Sequence, residues 1–466
     1  MIIYFYFSVM DRLFADVARE LANSDQRFVF TGLASGRQEF LEKAPFRQVS
    51  FLSSCDVPPP PDLTAEAVRI EREYEVCLSE LIQMERHFGR FEKEKRLARA
   101  VEIVRTIERD YERHAFQLVF SHCFADFPSA FLHAFAKRHR LKFYYPITAR
   151  MGGAAFLSDE GNTGPERLKE RFQRYVALYA AKPAEFEATK RLVENYVSAR
   201  RQPYYAAAKT MVFRVGKRMD VSIFFGAIAN YIKDRNSYIA YNNPLALPFQ
   251  RLRRIYRYRA YREFGKRFLS REHLQGLKYF IFPLHFEPEA ATLVNGRYLN
   301  DQFVVIQMAA KALPADCILI VKEHRVSVGR RPVEFYRKID ALHNVRFVSE
   351  HEDVYGLIES SRGVITISSS MALEAIMLQK AVIVFGDVHY NILSQVIIAH
   401  NIEGIAACVK QALAFEGYKE AEYLAFFRVI TERTYDLSEF FASSYTPKHV
   451  DTFVHMINEA CELARR

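Results

Sequence analysis

The chain has 466 residues, half of them hydrophobic and 14% aromatic, enough apolar material for two full cores. A 26% charged fraction beside so many aromatics excludes a disordered chain. The net charge of +10 favours anionic partners such as nucleic acid, anionic lipid or phosphorylated substrates, without choosing among them. The six cysteines, Cys55, Cys77, Cys123, Cys317, Cys408 and Cys461, are scattered and include no Cys-x-x-Cys. This argues against a zinc site or disulfide framework and fits reduced thiols in a cytoplasmic protein.

The opening MIIYFYFSVM lacks a basic n-region and a cleavage site, and reads as a buried first strand. No stretch reaches the roughly 20 apolar residues needed to span a bilayer, so any membrane contact is expected to be peripheral. MDRLFADVARELA has helical apolar spacing, and RFVFTGL reads as a second strand. Strand alternating with helix predicts a parallel sheet covered on both faces. Pro58 to Pro61 mark a surface connection, and 63–117 read as helical. Strands are expected at 116–122 and 142–147, with a helix through Phe131 between them and a loop over 149–166. Residues 165–275 read as a basic helical insert and connector. A second α/β pattern follows, with strands at 279–284, 317–322, 345–348, 364–367 and 381–385, and the tail 421–466 reads as helical. The expected organisation is an N-terminal domain over 1–164, the insert over 165–275, a nucleotide-binding domain over 276–420 and helices over 421–466.

Ligands bind beyond the carboxyl ends of parallel strands. Polar groups follow four strands of the second pattern at once: His285, Glu287 and Glu289, then Lys322, Glu323 and His324, then Ser368, Ser369 and Ser370, then Gly386. In ISSSMALEA three hydroxyls sit between a strand and a helix, where free N–H groups and the helix dipole suit a phosphate. Glu374, one turn inside, is placed for ribose hydroxyls. VKEHR with Arg330 and Arg331 adds cations suited to phosphate, and His324 is a candidate donor or acid. His285 with Glu287 and Glu289 reads as an acid/base pair, a metal site or a loop-ordering network. No further ligands stand at helical spacing, so no metal and no other cofactor is expected. In the N-terminal half, Asp159 and Glu160 form an acidic loop pair, and His122 and Asp126 follow another strand.

PLHFEPEAAT, VKEH with its downstream Gly-Arg, and TISSSMALEAIMLQKAVIVFG together resemble the bacterial capsule polysaccharide biosynthesis family, which includes Kdo transferases, over about 275–395. The resemblance implies an α/β fold of GT-B type: two Rossmann-like domains facing across a cleft, with C-terminal helices crossing back. It also implies a nucleotide-sugar donor, often CMP-linked, in the C-terminal domain. The family usually has Lys-x-His-Pro and a Thr-Gly-Thr-like turn, where this chain has Arg325 and Ser368–Ser370. Asp159-Glu160-Gly161 is similar to the acidic motif of some bacterial sialyltransferases, whose carboxylate is the base. The expectation is therefore a glycosyltransferase acting on a surface glycan or lipid-linked acceptor. Asp159, Glu160 and His285 are the catalytic candidates, and Glu289, Lys322, His324, Arg330, Ser368, Ser369, Ser370 and Glu374 the donor-binding ones. A sugar-nucleotide epimerase, a glycerophosphotransferase and a non-catalytic polysaccharide- or RNA-binding protein stay open, although no nucleic-acid-binding module is legible. Residues 251–271 hold nine Lys or Arg against one Glu. An apolar stripe of Leu252, Ile255, Tyr258 or Tyr261, and Phe268 or Leu269 runs among them. They read as a candidate contact with anionic membrane at its inner face, or as a packed interdomain helix.

Overall fold

A computed structural model describes the chain except residues 8–10, 23, 25, 33–48, 53–57, 87, 89–90, 160–165, 201–227, 229–245, 402, 433, 439, 441–444 and 466. The chain divides into two compact units, one of Met1–Gly161, Met219–Leu247 and Arg433–Arg466, the other of Asn162–Arg218 and Pro248–Glu432. Each is built on one sheet.

The first sheet comprises β1 (Ile2–Phe7), β2 (Arg27–Gly32), β3 (Val49–Phe51), β4 (Leu118–Ser121), β5 (Lys142–Thr148) and β6 (Ala154–Ser158), with β13 (Tyr435–Asp436) at its edge. The strand order is β13-β6-β5-β4-β1-β2-β3. The five strands β3-β2-β1-β4-β5 run parallel. Central β1 is apolar on both faces because both are covered. Ile3, Phe5 and Phe7 join a core with the helices Asp11–Leu21 and Pro447–Arg465, and the Phe5 ring stacks on Phe120 at 5.4 Å. Tyr4 and Tyr6 point the other way and donate their hydroxyls to Asp110 and Asp126, at 3.0 and 2.9 Å. Buried phenols need such partners.

Two features depart from the sequence reading. AAFLS, expected in a loop, forms β6, which turns back antiparallel on β5. Gly152 at φ 59 takes the left-handed conformation in that turn, which glycine adopts at no steric cost. The tail is not wholly helical: β13 separates the helices Glu420–Thr431 and Pro447–Arg465.

The second sheet comprises β7 (Lys278–Pro283), β8 (Cys317–Lys322), β9 (Val345–Val348), β10 (Gly363–Thr366), β11 (Ala381–Val384) and β12 (Ile397–Ile398). All its pairings are parallel, in the order β12-β11-β10-β7-β8-β9. Read in chain order this is 6-5-4-1-2-3, the Rossmann arrangement, and both sheets thus define Rossmann-like domains. The order reverses between β7 and β10, which is where such sheets bind ligands. The basic segment forms the helix Leu247–Phe264, which buries Tyr261 and Phe264 against Tyr336 and Phe347 of this core. Among the described residues no helix is long and apolar enough to cross a membrane.

Candidate functional site

The segments leaving β7 and β10 meet at the point of reversal. The Ser368 N–H points at His285 Nε2 over 3.4 Å, and the Thr366 hydroxyl lies 3.2 Å from the same nitrogen. Thr366 Oγ1 also accepts from the Ser369 N–H at 3.1 Å, so its own proton is directed at the imidazole. With two donors aimed at Nε2, the ring proton belongs on Nδ1. His285 is buried, and its backbone N–H donates to Gln302 Oε1 at 2.6 Å. In this setting His285 ties the two strand ends together, instead of standing open as the acid/base group expected from sequence.

The serine turn is similarly engaged from within. Ser368 Oγ donates to the Ala291 carbonyl at 2.6 Å, and Ser369 Oγ accepts the Met371 N–H at 3.1 Å. Ser370 is the half-buried N-cap of the helix Met371–Met377 and makes no side-chain cap bond. Of the three hydroxyls, that of Ser370 is the one left for a ligand by these contacts. Gly386 closes the neighbouring strand end, where a Cβ would meet the carbonyl oxygens of Asn295 and Ile367 at 2.6 and 2.8 Å.

Lys322, at the end of β8, and Glu374, in the helix Met371–Met377, are both buried. Burial, reinforced by Arg325, pushes the Lys322 ammonium down to about 8, against the pull of Glu350, Glu352 and Glu323. Its Nζ donates to the Glu350 carbonyl at 2.6 Å. Burial pushes the Glu374 carboxyl up to about 8, with Lys322 opposing. Glu374 is thus a largely neutral carboxylic acid near neutral pH, and not the ionised surface group that its place in an exposed-looking helix start implies.

The β8 loop presents His324 and Arg330. Burial first, then the Arg331, Lys322 and Arg325 cations, push His324 down to about 4, so the ring is neutral at pH 7. Its Nδ1 accepts the Val326 N–H at 3.3 Å, which leaves the ring proton on Nε2 as a donor. Arg330 is exposed and lies over the Phe286 ring at 4.7 Å, a cation–π contact that carries its charge beside the β7 end. Beneath them Glu323 accepts from Arg331 and from the Tyr336 hydroxyl at 2.6 Å. The sequence reading offered Arg331 as a cation for phosphate, and the structure buries it with Glu323 as an ion pair.

Glu289 is exposed in the β7 loop, at the N-cap of the short helix Ala290–Leu293. Asp159 follows β6, which runs against the parallel strands. Ser158 pairs with Tyr145, and Tyr144 with Phe120, so the chain beyond Ser158 heads away from the carboxyl edge. His122 and Asp126 do lie at that edge, after β4. Asp126 is engaged as the N-cap of the helix Phe127–Arg138 and by Tyr6, while His122, buried, is pushed down to about 4. Glu160 lies outside the described residues. Among the described residues no group of three His, Cys, Asp or Glu is placed to hold a metal ion.

Residues 190–394 match the family described as capsule polysaccharide biosynthesis protein. The match takes in β7 to β11 and every residue of the second-unit site. Among solved structures the chain is similar to the KpsC β-Kdo 2,7-transferase of Thermosulfurimonas dismutans, at 11% identity and TM-score 0.35 over 76% of this chain and 89% of that one. The β-Kdo 2,4-transferase of the same KpsC is matched at 12% identity and TM-score 0.34, over 73% and 87%. A UDP-GlcNAc 2-epimerase from Methanocaldococcus jannaschii is matched at 12% identity and TM-score 0.27, over 92% and 98%. No curated protein matches the chain.

Proposed function

We propose that the chain is a glycosyltransferase that moves a sugar from a nucleotide-activated donor, of the CMP-linked kind, to a surface polysaccharide or lipid-linked acceptor. The observation that carries this reading is the meeting of the β7, β8 and β10 ends at the reversal point of a Rossmann sheet, in a region that matches the capsule polysaccharide biosynthesis family. In this reading the donor phosphate lies against Ser370, the neutral His324 Nε2–H and the Arg330 guanidinium, with Lys322 beneath. These groups offset the charge that develops on the leaving phosphate, which is the main contribution a transferase makes without a metal. Glu374, neutral and buried, offers a hydroxyl donor to a ribose oxygen.

The test is a thermal-shift screen of the whole chain against CMP, CDP, UDP and GDP, followed by product analysis with a labelled donor. A nucleotide at ~100 times its dissociation constant adds roughly 2.7 kcal/mol of stability. Transfer of label to an acceptor supports the reading. Label recovered only as an epimerised nucleotide sugar replaces it with the epimerase, and no response to any nucleotide rejects it.

A further inference from the structure

The helix Leu247–Phe264 has two faces of different character. The inner one carries Tyr261 and Phe264 into the core, with Tyr258 packed beside them. Most of the apolar stripe read from the sequence therefore points into the protein. The outer face carries a different set: Phe249 is 74% exposed, Leu252 63% and Tyr256 68%. Their spacing of i, i+3 and i+7 aligns them along one side of the helix. Arg253 flanks this row on one side, and Arg259 and Arg262 on the other, all exposed. Residues 247–267 contain eight Lys or Arg and one acidic residue, Glu263, which Lys266 neutralises at 2.7 Å.

We propose that this outer face docks on an anionic lipid bilayer, with Phe249, Leu252 and Tyr256 in the headgroup–acyl boundary and the arginines against lipid phosphates. The geometry of the face is independent of the transferase reading, and its use, bringing a lipid-linked acceptor to the chain, rests on that reading. Two properties select a bilayer. The charge is complementary to anionic headgroups. Three large apolar side chains standing in water add nothing to the binding of a soluble polyanion, whereas a bilayer interface takes up apolar groups and favours Tyr in particular.

The experiment uses the full chain with vesicles of phosphatidylcholine alone or mixed with phosphatidylglycerol. Sedimentation with the anionic vesicles is expected to exceed that with neutral ones by roughly ten-fold or more and to be reversed by high salt. The variant Phe249→Ser/Leu252→Ser/Tyr256→Ser is expected to lose the binding while keeping its circular dichroism and melting temperature, because the three side chains are exposed. The chain contains no tryptophan, so Tyr256→Trp supplies a sole reporter whose emission shifts to the blue on anionic vesicles. Equal partition to both vesicles, none to either, unchanged binding by the triple variant, or an unshifted Trp emission each overturns the proposal. Binding to dextran sulfate without binding to vesicles also overturns it and assigns the face to a soluble polyanion. Nucleotide binding by the same variants is measured in parallel. Its absence in the parent chain rejects the transferase reading and leaves the docking result standing.

Discussion

The Arg331 guanidinium bridges both oxygens of the Glu323 carboxylate through a single nitrogen, Nη1, at 2.7 and 2.8 Å. Its second nitrogen donates to the His285 carbonyl and, at 3.3 Å, to Glu287. Burial works against the arginine's charge, but Glu323 and Glu287 outweigh it and hold the guanidinium protonated more firmly than usual. One buried ion pair therefore fixes the ends of β7 and β8 and the start of the helix Val333–Asp340, while His324 and Arg330, the groups proposed for the ligand, lie on the loop that it pins.

Arg331→Met is expected to destabilise the chain by about 3–5 kcal/mol, because it leaves Glu323 buried without its counter-charge. Denaturant titration measures this. Glu323→Leu added to Arg331→Met is expected to recover much of the loss, since the uncompensated charge is then gone. Equal stability of the single and double variants would contradict the pairing.

His285→Ala is expected to loosen the serine turn, with a stability loss of about 1–3 kcal/mol for the donors left unpaired. Nucleotide affinity should fall with it, while kcat at saturating donor is expected to change little, because the imidazole is engaged with Thr366 and Ser368. Steady-state kinetics separate the two roles. A collapse of kcat with KM unchanged would return His285 to the acid/base role its sequence context suggests.

The general layout was legible from strand–helix alternation because period and turn chemistry are local properties. The helices over 63–117 and the five main strands of the second sheet followed from it. β6 was not legible: AAFLS is short, follows two glycines and owes its strand to pairing with Tyr145–Thr148, a contact made in space. The candidate ligand edge was legible for the same local reason, since polar residues directly follow apolar strands. What each group does there was not. Whether a serine hydroxyl, an imidazole or a glutamate faces ligand or protein depends on partners far along the chain, such as Ala291 for Ser368 and Thr366 for His285. The outer face of the Leu247–Phe264 helix was obscured in the same way, because periodicity shows that a helix has an apolar stripe but not which of two stripes the core takes.

The antiparallel course of β6 yields a contrast between two variants. Asp159→Asn is expected to keep most of its turnover, because the chain beyond Ser158 leaves the carboxyl edge of the first sheet. His122→Asn, at that edge and neutral at pH 7, is expected to lose about 10²–10⁴ in rate if it takes the acceptor proton. Turnover measured with saturating donor decides between them. Loss in Asp159→Asn alone would restore the acidic loop as the source of the base.

Glu374 gives the pH dependence. Its folded carboxyl is raised by burial to about 8 from an ordinary value of 4.5, with Lys322 opposing. A raised pKa means that the folded state holds the proton more tightly than the unfolded one. The stabilisation this brings is complete below the unfolded value and is lost as pH rises through 8. Glu374→Gln keeps the shape and hydrogen-bonding capacity of the neutral acid but cannot ionise. The variant should therefore match the parent at pH 4.5 and exceed it increasingly up to pH 8, by as much as a few kcal/mol at about 1.4 kcal/mol per unit of pH. Lys322 moves in the opposite sense, because its depressed pKa favours folding at high pH and that contribution is lost as pH falls through about 8. Lys322→Met is thus the control: it should remove the opposing charge and raise the folded Glu374 pKa further, so that the loss of stability, which still begins at the unfolded value, continues to higher pH. The measurement is denaturant unfolding of parent, Glu374→Gln and Lys322→Met at pH 4.5, 6, 7 and 8. Nucleotide titration of Glu374→Ala under the same conditions reads the ligand role separately, with an expected loss of roughly 0.5–1.5 kcal/mol for one neutral hydrogen bond. A difference between Glu374→Gln and parent that stays constant across this range would place an ionised carboxylate at 374 and reverse the assignment of a neutral acid beneath the serine turn.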